Sequence, residues 1–191
     1  MCLGDIADGG HQSEYESYEE FARKISSEAE LKTGGKFLVY GIPGNHDTYH
    51  GGLSVYGDYV FPYATYFRFS AGGFSFYALD TANGTLGKHQ FDDLSSRMRN
   101  DTNPKIVLTH YPIYAGGNFL MTMQNTVGRN RILALFQKYG VRQVFGGHAH
   151  REFGFDYGSF REDILASYLY SNVYYLVTVN GSAVGVEKRV F

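Results

Sequence analysis

The stretch "VYGIPGNHDTYHGG", residues 39–52, places a short apolar run directly before the polar tetrapeptide Gly-Asn-His-Asp. Glycine and asparagine are common turn residues, so a tight turn is the simplest interpretation. A metal-assisted reaction centre is the alternative, because polar side chains that pack poorly in a core are expected where chemistry requires them. The choice depends on whether partner side chains occur at equivalent places elsewhere in the chain.

Such partners follow three other apolar runs. Asp5 occurs in "LGDIAD", His110 in "VLTHYP", and His148 and His150 in "GGHAH", beside Asn45 of the opening stretch. The carboxyl ends of parallel strands meet at one edge of a sheet, so these side chains are expected to converge there. Carboxylate, amide oxygen and imidazole together suit divalent Mn, Fe or Zn. The sequence therefore predicts a metal site at this edge.

The spacing of apolar residues predicts an α/β protein in which strands alternate with helices. The first helix is expected to be capped by Ser13 or Ser17. The predicted helices are Ser13–Leu31, Gly87–Arg99 and Val127–Tyr139. The predicted strands are Lys36–Tyr40, Tyr63–Phe69, Phe74–Leu79, Lys105–Leu108, Val141–Phe145, Tyr174–Val179 and Val184–Val190.

The composition excludes several classes of protein. A chain of 191 residues with 43% hydrophobic and 19% charged residues is typical of a single globular domain, here taken as residues 1–191. The formal net charge is −2 and the basic residues are scattered, which argues against a nucleic-acid groove. The chain shows no membrane span and no signal peptide, so a cytoplasmic location is the default expectation. Its oligomeric state cannot be read from the sequence.

The motifs "GDIAD", "GNHD", "THYP" and "GGHAH", in this order, closely resemble those of the calcineurin-like metallophosphoesterases. The resemblance runs from Gly4 to His150, and four ordered motifs make it specific. It implies a four-layer α/β/β/α sandwich of two mixed sheets. It also implies two divalent metal ions and hydrolysis of a phosphomonoester or phosphodiester by a metal-activated water.

The same resemblance assigns roles by motif position. Asp5 would bridge the two ions, and Asn45, His110 and His148 would complete one metal site. His150 would serve the other metal. Two further residues, His46 and Asp8, would be catalytic: the histidine would donate a proton or hydrogen bond to the leaving oxygen, and the aspartate would orient it and raise its pKa.

One feature departs from the family pattern. The family opens with an Asp-x-His motif on its first strand, and this chain contains none. The second metal would keep only Asp5 and His150, and His11 has no partner carboxylate at the right spacing to replace the missing ligands. We therefore expect that the first strand is missing from this chain. A catalytically impaired domain, either a pseudoenzyme or a fragment that keeps one metal site, stays open as an alternative.

Two residues narrow the branch of the family. Gly9 stands where serine/threonine protein phosphatases carry a phosphate-binding arginine, and Asp8 stands where purple acid phosphatases carry a metal-binding tyrosine. Neither branch is therefore expected. A two-histidine barrel site of the cupin type is disfavoured by the helices between the motifs. The sequences of the variable loops do not indicate which phosphate ester is the substrate.

Overall fold

The structure is a computed structural model that describes residues 1–114, 117, 121–181 and 183–190. The strands are β1 (Cys2–Leu3), β2 (Gly41–Ile42), β3 (Phe67–Ala71), β4 (Phe74–Ala78), β5 (Lys105–Thr109), β6 (Val141–Gly146), β7 (Phe153–Asp156), β8 (Arg161–Ile164), β9 (Val173–Asn180) and β10 (Ala183–Val190). The helices are α1 (Gln12–Thr33), α2 (Leu53–Tyr59), α3 (Lys88–Arg99), α4 (Thr126–Lys138) and α5 (Tyr168–Ser171), with a 3-10 segment at His46–Gly51.

A mixed sheet of six strands forms the centre of the fold, in the order β3-β4-β5-β6-β8-β7. Strands β4, β5, β6 and β8 are parallel neighbours, and β3 and β7 pair antiparallel at the two edges. All five residues of β5 are buried. A strand that is buried along its whole length is typical of a parallel sheet covered on both faces. The α/β expectation is confirmed.

Helices α3 and α4 cover one face of this sheet. Leu94 and Met98 of α3, and Ile132 and Phe136 of α4, join Val107 of β5 in one core. Within each helix the two residues are four apart and therefore lie on the same side. Each such side chain contributes roughly 1.5–3 kcal/mol when it is fully buried.

Two small sheets lie on the opposite face. Strands β1 and β2 form a parallel pair, and β9 and β10 form an antiparallel hairpin. Ile42 of β2 and Val177 of β9 pack with Phe74 and Ile106 of the central sheet. Ile106 adjoins Val107 in β5, so the two side chains point to opposite faces. In the part of the chain that the structure describes, the second mixed sheet expected from the family is thus represented by two separate two-stranded sheets.

Helices α1 and α2 pack beside the loop that follows β1. Tyr15 and Tyr56 are fully buried there with Ala7, and their rings meet edge to face at a centroid distance of 5.9 Å. Edge-to-face contact is a favourable arrangement for two aromatic rings. The packing supports the loop that carries Asp5. No described helix has the length and apolar character needed to cross a lipid bilayer.

Three predicted details are wrong. Residues 63–66, predicted as the start of a strand, hold none, and β3 begins at Phe67. Helix α1 begins after His11, which caps it together with Glu14, and not after Ser13 or Ser17. Residues 36–40 hold no strand, and the strand of this region is Gly41–Ile42. Because β1 is only two residues long, it offers pairing partners to those two residues alone.

An acidic side chain links the edge strand β3 to its neighbour β4 within the central sheet. The Asp101 carboxylate accepts hydrogen bonds from Arg68, at 2.9 and 3.2 Å, and from the Tyr77 hydroxyl at 2.7 Å. Burial acts to raise the pKa of Asp101. Hydrogen bonds from Ser75, Tyr77, the Asn103 backbone and Arg68 outweigh that effect and hold the pKa at about 2. The carboxylate is therefore charged and held in place over the ordinary pH range.

Candidate metal centre

The structure brings together most of the side chains that the sequence nominates as ligands. Asp5, Asn45, His110 and His148 each lie in the polar segment that follows a strand: β1, β2, β5 and β6 respectively. One ligand atom from each of Asp5, His110 and His148 lies within 4.8 Å of the others. Residues up to 143 positions apart in the chain thus meet at one point.

The amide oxygen of Asn45 lies at the centre of this group. Its Oδ1 is 3.0 Å from His110 Nε2 and 2.9 Å from His148 Nδ1. The carboxylate Oδ1 of Asp5 is 3.4 Å from His110 Nε2. Four potential ligand atoms from four segments of the chain therefore face a common space.

The tautomer of His110 decides what this space can hold. His110 Nδ1 is 2.7 Å from the carbonyl oxygen of Leu3. A carbonyl oxygen only accepts hydrogen bonds, so Nδ1 carries the hydrogen and a neutral ring presents a lone pair at Nε2. Burial lowers the pKa of His110, which is 1% exposed, and thereby favours the neutral ring.

A cation fits this arrangement. The Nε2 lone pair of His110 faces the oxygens of Asp5 and Asn45, which are also acceptors, so the three atoms repel one another without a positive charge between them. Burial, and then the neighbouring His110, lower the pKa of His148 to about 4, so that ring is also unprotonated near neutrality. Nitrogen and oxygen donors of this kind suit Mn, Fe or Zn. The hydrogen bond from His110 to Leu3 is the outer support that metal-bound histidines commonly have.

Two glycines leave room for this cluster. A Cβ atom on Gly4 would lie 2.2 Å from His110 Nδ1, and one on Gly44 would lie 2.3 Å from the Asp5 carboxylate. Gly4 also has a φ of 98°, which favours glycine. Glycine at these two positions therefore keeps the space beside the ligand atoms free.

The backbone is strained where it presents the ligands. Asp5 has a φ of 52°, His148 of 61° and His150 of 53°, all in the left-handed region. A residue other than glycine pays of order 1–3 kcal/mol for such a conformation, which persists only where the surrounding structure enforces it. Strain of this kind concentrates at functional sites.

His46 and Asp8 form a pair beside the cluster. His46 Nδ1 is 2.8 Å from the backbone carbonyl of Asp8 and 3.1 Å from its carboxylate, and the backbone N–H of His46 donates to Asp5 at 3.0 Å. Burial acts to lower the pKa of His46. The Asp8 carbonyl and the charges of Asp5 and Asp8 outweigh that effect and raise the pKa. The pair thus has the geometry and the electrostatics that favour a cationic imidazole.

His150 lies outside the group of converging ligand atoms. Its side chain is exposed, and its ring stands 5.0 Å from the ring of Tyr170. A positive charge on His150 would lower the pKa of both His110 and His148. Its role at a second metal stays a prediction.

Asp47 is a structural member of the site that the sequence reasoning did not single out. It is 0% exposed, and its carboxylate accepts the backbone N–H groups of Ile6, Ala7 and Gly44 at 3.2, 2.9 and 2.7 Å. Burial raises its pKa against the effect of those three hydrogen bonds. Asp47 joins the Asp5 loop to the Asn45 loop. The sequence feature that could have indicated this role is its position at the end of "GNHD", where an acidic residue directly follows two polar site residues.

Two neutral side chains also support the histidines. The Thr81 hydroxyl accepts the backbone N–H groups of His110 and Tyr111, both at 3.1 Å. The ring of Tyr111 stacks on His148 at 3.9 Å. Only Tyr111 carried a signal in the sequence, as a neighbour of His110.

A sequence model of the family described as calcineurin-like phosphoesterase matches residues 1–152. No curated protein matches the chain. The matched segment contains every residue of the cluster, as well as His46, Asp8 and His150.

Solved structures share the fold at low identity. A dimetal phosphatase of Danio rerio has a TM-score of 0.65 at 14% identity, with 98% of this chain and 79% of that chain covered. GAP50, described as the anchor in the inner membrane complex of Plasmodium, has a TM-score of 0.61 at 14% identity and covers 90% and 60%. The purple acid phosphatase PPD1 of yellow lupin has a TM-score of 0.58 at 15% identity and covers 84% and 35%. The four ordered motifs, their convergence beyond the ends of strands from two sheets and the family match over residues 1–152 agree: the chain belongs to the calcineurin-like phosphoesterase family.

Proposed function

We propose that this protein is a metal-dependent phosphoesterase that hydrolyses a phosphomonoester or a phosphodiester by attack of water. The observation that carries the proposal is the lone pair of His110 Nε2, which faces the oxygens of Asp5 and Asn45 at 3.4 and 3.0 Å. In the same proposal the two small sheets belong to the second sheet of a four-layer α/β/β/α sandwich within one domain.

Asp5, Asn45, His110 and His148 would hold one divalent ion, and His150 with Asp5 would contribute to a second. When bound, such ions act as Lewis acids toward phosphate oxygens and lower the pKa of water. Mn, Fe and Zn all suit the donor atoms.

His46 is the proton donor to the leaving oxygen in this proposal. Because Nδ1 donates to the Asp8 carbonyl, the opposite nitrogen, Nε2, remains for the substrate. A raised pKa increases the share of His46 that carries both hydrogens near neutrality. Asp8 orients the ring and stabilises its positive charge.

A catalytically impaired domain that keeps a single metal site is the second candidate. It is favoured by the position of His150 outside the ligand cluster that the described residues form. The fold likeness to GAP50, whose description is that of an anchor, is compatible with a role other than hydrolysis.

The test is hydrolysis of 4-nitrophenyl phosphate and bis(4-nitrophenyl) phosphate with Mn²⁺, Fe²⁺ or Zn²⁺. We expect His110→Ala and Asn45→Ala to lower kcat/KM by about 100-fold or more, because losing several kcal/mol of metal assistance corresponds to at least that factor. His89→Ala is the matched control, since His89 is exposed on α3 and lies outside the cluster.

The outcomes separate the two candidates. Metal-dependent turnover that falls in both ligand variants and persists in His89→Ala supports the phosphoesterase. Stoichiometric metal binding without turnover of either ester supports the impaired domain. Variants as active as the parent chain would refute the ligand assignment.

A further inference from the structure

Asn45 needs outer support if its amide oxygen is to act as a ligand. Its Oδ1 faces His110 and His148, so its Nδ2 group points away from the cluster. That group donates to the Tyr49 hydroxyl at 3.3 Å. Among the described residues, the Tyr49 hydroxyl oxygen is the acceptor for the Asn45 side-chain N–H groups.

Tyr49 is itself held firmly. The 3-10 segment loses helical geometry at Tyr49, where φ is −67° and ψ is 151°. The Tyr49 carbonyl accepts the Gly52 N–H at 2.8 Å and lies so close to Gly10 that a Cβ there would be 2.1 Å away. The next residue, His50, adopts a φ of 48°, and its Nδ1 lies 2.8 Å from the carbonyl of Gly9.

Tyr49 also borders the proton donor. Its ring centroid is 4.9 Å from that of His46, and 44% of the residue is exposed. The tyrosine therefore stands at the rim of the site, with its hydroxyl on one ligand and its ring against the predicted acid. Phenylalanine at this position would keep the ring contact with His46 and remove only the hydrogen bond to Asn45.

We infer that Tyr49 is a positioning residue for the metal site: its hydroxyl anchors the Asn45 side chain in the orientation that presents the amide oxygen to a divalent cation. This inference rests on the proposed function, because it requires Asn45 to be a ligand. Hydrogen bonds from outside the ligand set fix the orientation of metal ligands, and their loss typically weakens metal affinity about 10–100-fold.

The test is calorimetric titration of Mn²⁺ alone into the full, metal-free chain. We expect Tyr49→Phe to raise the Kd for Mn²⁺ about tenfold. Tyr63→Phe is the matched control: Tyr63 is an exposed tyrosine whose ring packs on Phe61, and we expect its Kd to equal that of the parent chain. Thermal melting of the metal-free variants checks that both are folded.

A double-mutant cycle separates positioning of Asn45 from a general effect. In an Asn45→Ala background, Tyr49→Phe should weaken Mn²⁺ binding no further, since the side chain that it anchors is gone. An unchanged Kd in Tyr49→Phe, or an equal loss in both backgrounds, would overturn the inference and leave the metal site intact. Failure of the parent chain to bind any divalent ion would instead overturn the proposed function itself.

Discussion

Replacing Asp47 by alanine should destabilise the whole protein and disrupt the site with it. Three backbone N–H groups, those of Ile6, Ala7 and Gly44, donate to this one carboxylate. The residue is 0% exposed, so water does not reach it in the folded chain. Asp47→Ala would leave all three donors without their acceptor.

The magnitude follows from those contacts. Each buried donor that loses its partner costs about 1–3 kcal/mol. Part of the cost is recovered, because the raised pKa of Asp47 shows that the buried charge is itself unfavourable. We expect a net loss of about 3–5 kcal/mol for Asp47→Ala, against a usual total stability of about 5–15 kcal/mol.

Asp47→Asn is the graded comparison. The amide oxygen can replace Oδ2, which accepts from Ile6 and Gly44, but the NH₂ group then faces the Ala7 N–H. One donor is left unsatisfied, so the expected loss is about 1–3 kcal/mol. Asp58→Ala, at an exposed position in α2, should stay within about 0.5 kcal/mol of the parent chain.

Urea unfolding followed by circular dichroism measures these differences in the metal-free proteins. From least to most destabilised, we expect the order Asp58→Ala, Asp47→Asn, Asp47→Ala. An Asp47→Ala protein as stable as the Asp58→Ala control would show that the three hydrogen bonds do not hold the two loops together.

Three further predictions concern charge and space. Asp101→Asn should lose about 2 kcal/mol at pH 7, since a pKa of about 2 in the folded chain against about 3.9 unfolded stabilises the fold above pH 4. That difference should shrink as the pH falls from 4 toward 2, and a difference in urea unfolding that is constant with pH would contradict it. Gly44→Ala should lower both the melting temperature and the affinity for Mn²⁺, because its Cβ would lie 2.3 Å from the backbone nitrogen and from the carboxylate of Asp5; unaltered calorimetric affinity would count against the crowded site. Asp8→Asn should lower the pKa of His46, seen as an NMR titration of the ring that moves to lower pH in the metal-free protein; a curve that stays in place would exclude the pairing.

Local patterns in the sequence were sufficient to predict much of the fold. Helices α3 and α4 and strands β4, β5 and β6 were predicted to within one or two residues, because the period of their apolar positions depends only on the local backbone geometry. The strand predicted at residues 36–40 was wrong because strand formation depends on a partner strand as well as on the local pattern. A strand exists only where another strand offers hydrogen bonds, and β1 offers them to two residues.

The sequence by itself determined the family, the alternation of strands and helices around the site and the residue types of the site, since four motifs with ligand chemistry each follow an apolar run. Only the tertiary structure decided which nitrogen of His110 carries its hydrogen, that Asp47 joins two loops from the interior, and that His150 lies apart from the cluster that the described residues form. Motif order is a property of the chain, whereas tautomers, burial and distances between side chains arise when segments far apart in sequence meet beyond the ends of strands from two sheets.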